Sequence, residues 1–287
     1  MGLAGVAVMA APGLAWAQPA DLFYERTVMT AADQRCGLFA PEIGAALAAG
    51  AQQARGAALR AGASAETLRD VERAAQAKAS ASGCGSADIT TAAARVKAAF
   101  SGYARITRQT YAGDLAGWQA DRILSRNAHW RLAQDANFGP DRLTFGLAGR
   151  DGADALVAVA RFADDAEPYA AHLILRDAAR SAQPYLERWN GGSTAGLPLS
   201  RRLPPRGALK TYSAGARSPA GADLRPKGAD GGWAFRFPDA AAAELARLDP
   251  REAVAVEFLF PGDQVRRAYV EVGDFAAGRA FLRVATR

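Results

Sequence analysis

Apolar residues recur at three- and four-residue spacing through the first third of the chain, and at two-residue spacing through much of the remainder. The clearest helical stripe follows Ser86, where Ile89, Ala93, Val96, Phe100, Tyr103 and Ile106 fall on one side of about five turns. Upstream, Pro41 suits a first helical turn, and Ile43, Leu47, Ala54 and Ala58 make an inward face that stops at Gly62. The interior glycines Gly44, Gly50 and Gly56 each cost that helix about 1 kcal/mol relative to alanine. Ser64 caps a third helix, with Glu66 and Asp70 near its positive end and Leu68, Val71 and Ala75 at helical spacing, ending near Gly83. Thr30 and Asp33 read as a capping box opening a short helix that carries Met29, Ala32 and Cys36 on one side. Asp114 to Leu124, with Leu115 and Trp118, reads as a last short helix.

After about Asn127 the period shortens. Trp130 and Leu132, then residues 143–147, 156–162 and 169–175, form short apolar or alternating runs separated by Gly, Asp and Pro. Residues 191–207 and 214–232 are rich in Gly, Ser, Pro and Arg and read as loops. The closing stretch is better marked. Residues 233–237 alternate as a strand, 240–248 read as a short helix, and 253–260 are apolar on both faces, hence a central strand. A turn at Pro261, Gly262 and Asp263 leads to a strand over 265–272 and a helical segment over 275–281. The pattern predicts an α+β protein: a helical bundle over residues 18–126, then an antiparallel β-rich, sandwich-like domain over 127–287.

Residues 1–17 carry no charged side chain, run apolar from Leu3 to Ala11, break at Pro12 and Gly13, and offer Ala15-Trp16-Ala17 before Gln18. That order is an apolar core followed by a small-x-small cleavage site, so a secretion signal is expected. No later run approaches the roughly 20 apolar residues needed to span a bilayer. Export gives the two cysteines, Cys36 and Cys84, an oxidising destination, and they are expected to form one disulfide stapling the helical part.

The formal charge of +6 rests almost wholly on arginine. Arg201, Arg202 and Arg206 lie in one predicted loop and Arg217, Arg225 and Lys227 in the next, so a cationic patch is the candidate binding site. Partners of matching chemistry are an anionic glycan, a lipid headgroup or an envelope protein, and nucleic acid is not expected because no dense basic run is present. Asp164, Asp165 and Glu167 lack the spaced oxygens and turn glycine of a calcium loop, and two thiolates with no histidine at ligand spacing fall short of the four ligands of a structural zinc site. Ser193 lies in a glycine-rich stretch that misses the nucleophile-elbow pattern, and no phosphate-cradling glycine loop is present. Neither a metal nor a cofactor is expected.

The order Trp233 to Phe237, helix, 254–260, then Tyr269-Val-Glu-Val-Gly-Asp-Phe-Ala-Ala-Gly278, resembles the C-terminal part of the invasion-associated locus B family. That resemblance covers about a third of the chain and implies an exported bacterial protein with a β-sandwich-like fold and no known catalysis. It transfers no functional residue. The family's cysteines before the short helix are replaced here by Phe237-Pro238-Asp239, and the helical half has no counterpart. The function expected is therefore a non-enzymatic periplasmic or secreted binding or assembly protein of the bacterial envelope. The alternative is a hydrolytic enzyme whose site gathers around His129 or His172.

Overall fold

Four helices come first: α1 (Pro19–Cys36), α2 (Pro41–Arg60), α3 (Ala65–Ala81) and α4 (Ala87–Tyr103). They belong to a computed structural model that describes residues 19–150, 155–181, 184–188, 194 and 196–284. Residues 1–18, where a secretion signal is expected, together with Ser193 and most of its glycine-rich neighbourhood, lie outside those residues. Ser64 and Ser86 act as caps, accepting the N–H groups of Thr67 at 3.0 Å and Ile89 at 3.5 Å. The capping box expected at Thr30 does not form. Thr30 sits inside α1 and its hydroxyl donates to the Arg26 carbonyl at 2.9 Å, so the helix starts earlier than the sequence suggested. The reason is that Phe23, Met29 and Ala32, the buried residues of α1, do not fall on one regular stripe that periodicity would reveal.

Cys36 and Cys84 are bonded, S–S 2.01 Å, across a sequence separation of 48. The bridge ties the end of α1 to the turn between α3 and α4. Closing a loop of that length contributes about 4 kcal/mol in the chain-entropy account.

A second correction falls between residues 104 and 126. Instead of a helix over 114–124, the chain forms a hairpin of β1 (Arg108–Tyr111) and β2 (Trp118–Asp121), and the helical part ends at Tyr103. Distant residues hold this hairpin. Glu271 accepts the backbone N–H groups of Asp114, Leu115 and Ala116 at 2.6, 2.8 and 3.0 Å, and the Trp118 indole donates to the Val272 carbonyl at 2.8 Å. A Cβ on Gly113 would stand 2.3 Å from the Ala116 carbonyl oxygen and 2.6 Å from Glu271, so only glycine fits that turn.

The remaining strands are β3 (His129–Phe138), β4 (Asp141–Gly149), β5 (Leu156–Arg161), β6 (Ala170–Arg176), β7 (Leu209–Ser213), β8 (Ala216–Pro219), β9 (Trp233–Arg236), β10 (Ala253–Phe260) and β11 (Gln264–Glu271). β8 falls inside a segment expected to be loop. Its residues are all exposed, so no apolar alternation announces it. Two antiparallel sheets result, one ordered β1-β2-β3-β4-β5-β9-β8 and a smaller one ordered β11-β10-β6-β7. Their inner faces share one core. Leu143, Phe145 and Ala158 from the large sheet meet Leu173, Val256, Phe258 and Val270 from the small one, which is the sandwich the alternation called for. Ala214 and Gly215 carry the chain from one sheet to the other, their N–H groups bonding Ala171 in the small sheet and Arg236 in the large one.

Two short helices complete the chain, α5 (Asp239–Leu245) and α6 (Phe275–Leu282), and α6 buries Phe275 and Phe281 beside β1 to β3. Helix α2 packs on α6 and joins the two parts of the chain. Arg60 grips both oxygens of Asp274 there, at 2.6 and 2.8 Å. Burial raises the Asp274 carboxyl above its ordinary value and the Arg60 guanidinium opposes that rise. Among the described residues, no helix is long and apolar enough to cross a membrane.

Candidate binding cleft

Strand β11 is the outer strand of the small sheet, and a cleft of about 880 Å³ opens along it. One wall is the β3–β4 turn, with Asn137, Phe138 and Pro140. The other is Pro198, Leu199 and Ser200, where a short 3-10 turn (Leu199–Arg201) packs on β10 and β11. Arg266, Arg267 and Tyr269 form the floor. The size is that of a site for a small molecule or a few residues of peptide.

Both arginines of the cleft are held by carboxylates. Arg266 spans Asp141 at 3.2 Å and Asp164 at 2.9 and 2.5 Å, and lies over the rings of Phe260 and Phe162 at 4.9 and 5.5 Å. The bond to Asp164 raises the guanidinium further above its ordinary value and holds the Asp164 carboxyl down at about 2. Arg267 donates to Glu257 across the sheet at 2.7 Å, and hydrogen bonding to Tyr269 and Glu257 raises it. With its cations so compensated, the cleft presents aromatic rings, amide and hydroxyl groups and backbone rather than free charge.

The arrangement of β11 determines which backbone groups it presents. Val272 donates to the Glu252 carbonyl at 3.0 Å, which with the register Glu271 to Ala253 makes 270, 268 and 266 the positions that bond β10. Positions 271, 269, 267 and 265 therefore turn their N–H and C=O groups outward. At Glu271 this outward pair is filled by one side chain: the Gln134 amide oxygen accepts the Glu271 N–H at 2.9 Å, and its nitrogen donates to the Glu271 carbonyl at 3.3 Å.

The residues singled out by sequence fall elsewhere. Arg202 is only 2% exposed and pairs with Asp114 at 2.9 Å and Glu271 at 3.4 Å, while donating to the carbonyls of Thr194 and Leu197. Arg217 stacks on Trp233 at 3.5 Å with Glu167 alongside, and Arg225 donates to the carbonyls of Ala220 and Asp230 at 3.3 and 2.7 Å. Arg201, Arg206 and Lys227 remain exposed. Of the residues expected to form the cationic patch, Arg202 is therefore buried in the fold, whereas Arg217 and Arg225 have neighbours yet keep part of their surface exposed. Asp164, Asp165 and Glu167 likewise pair with three different arginines, Arg266, Arg161 and Arg217.

Neither histidine lines the cleft. The Nδ1 atom of His129 lies 3.2 Å from the Asn127 carbonyl. His172 stands on β6 directly between Ser213 of β7 and Glu257 of β10, but the Glu257 carboxylate is engaged by Arg267. Sequence reasoning missed Gln134, Phe138 and Tyr269. The alternation in 265–272 identified the strand, yet nothing local shows which of its two edges stays open. A scan against protein-family models, a search of curated proteins and a search of solved structures find no match to this chain.

Proposed function

We propose that the chain is a non-enzymatic binding or assembly protein of the bacterial cell envelope, working in the periplasm or after secretion. The observation that carries this reading is the β11 cleft, a large crevice between two loops whose cations are already neutralised by Asp141, Asp164 and Glu257. Function concentrates on loops held by a rigid scaffold. The internal pairing favours an envelope protein over an anionic glycan or lipid headgroup, since Arg266 and Arg267 would have to leave their carboxylates to bind an anion. The Cys36–Cys84 bridge, the leader pattern and the locus B resemblance support an exported location. The hydrolytic reading around His172 loses support because its neighbouring carboxylate serves Arg267.

Hydrogen exchange of the purified chain with and without solubilised envelope extract tests the proposal. The amides of Asn137, Phe138, Gly139, Leu199 and Ser200 should exchange several-fold more slowly in the extract. Unchanged exchange at both walls would remove the cleft as a binding site.

A further inference from the structure

Resting on the reading of the cleft as the binding site, we infer that its occupant is an extended polypeptide segment that pairs with the free edge of β11 as an added strand. Three observations converge on this. The outward N–H and C=O groups of Val265, Arg267 and Tyr269 have no bonding partner among the described residues, although Arg267 and Tyr269 floor the cleft. An exposed row of this kind is a ready template for another strand. Second, Gln134 supplies at Glu271 one donor and one acceptor, the pair that a neighbouring strand would supply, and so marks where an added strand ends. Third, the walls at 137–140 and 198–200 stand on either side of the edge, where the side chains of an added strand would alternate.

The edge chemistry also selects the occupant. Antiparallel pairing of β11 with β11 of a second copy, centred on the open stretch, brings two Arg266–Arg267 pairs to opposite or diagonal positions, and like charges there are destabilising. A segment of another protein with a neutral or acidic residue opposite Arg267 meets no such penalty.

The test uses the full disulfide-bonded chain and a mixture of synthetic octapeptides of randomised sequence. Retained peptides are identified by mass spectrometry, resynthesised and titrated against wild type, Arg267→Ala and Arg267→Pro. Proline is tolerated on an edge strand where the N–H faces outward, so Arg267→Pro removes an edge donor without breaking the β10 ladder. Binding should fall about tenfold or more from Arg267→Ala to Arg267→Pro, two variants that lack the same guanidinium and differ in the edge N–H. N-methylation scanned along a bound peptide should weaken binding at every second residue, which keeps the test valid should Arg267→Pro fail to fold. Strand addition is overturned if no peptide is retained, or if N-methylation acts without a period of two, or if a folded Arg267→Pro binds as well as Arg267→Ala. A wild-type dimer abolished in Arg267→Pro would assign the edge to a second copy and overturn it equally. Protection of the cleft by envelope extract without peptide retention would leave the binding reading standing and remove the strand pairing alone.

Discussion

Gly56 shows how one atom can reverse a local preference. By helix propensity it weakens α2, and alanine there should add about 1 kcal/mol. A Cβ at that position, however, would lie 1.9 Å from Asp274 Oδ1, inside the buried pair with Arg60. Displacing a buried ion pair costs about 3–5 kcal/mol, so Gly56→Ala is expected to lose about 2–4 kcal/mol net in denaturant unfolding. In an Asp274→Ala background the same change should be neutral or stabilising, and a loss persisting there would show that the contact with Asp274 is not the cause. The cleft carries a residue-scale prediction of its own. Asp164, held at about 2 chiefly by Arg266, should rise toward its ordinary value by carboxyl NMR titration in Arg266→Gln. Because its folded value lies below the unfolded one, its stabilising contribution is present above about pH 4 and is lost as pH falls toward 2. An unmoved midpoint in the variant would mean that Arg266 is not the cause.

At the scale of elements, the sequence displayed what local chemistry encodes. Ser64 and Ser86 announced two helix starts, the apolar run 253–260 announced a central strand, and the alternation of 265–272 announced its partner. The hairpin of β1 and β2 was hidden because Leu115 and Trp118 share helical spacing, whereas in the fold Leu115 is 60% exposed and Trp118 is fully buried. What selects the hairpin is Glu271, more than 150 positions away, and no window on residues 114–124 contains it. The candidate site was less legible for a related reason. An arginine in a loop reads as free, and only the tertiary structure supplies the acids that pair with Arg202 or the Trp233 ring on which Arg217 stacks. The disulfide is an element-scale constraint legible from two cysteines and an export pattern. Cys36→Ser should lower stability by about 2–4 kcal/mol without changing the sheets, as judged by denaturant midpoint and far-ultraviolet circular dichroism.

At the scale of the molecule, the helices and the sandwich share the α2–α6 contact and the Arg60–Asp274 pair. Unfolding should therefore be one cooperative transition by calorimetry, with matching van't Hoff and calorimetric enthalpies. Two separated transitions would show that the helices and sheets are independent units. The crossing at Ala214 and Gly215 has a mechanical consequence for the whole. Because two adjacent residues are stitched to opposite layers, that margin works like the spine of a book. The opposite margin is clasped as well, since Gln134 of β3 and Asp141 of β4 bond Glu271 and Arg266 of β11, so the covers are held on their core from both sides.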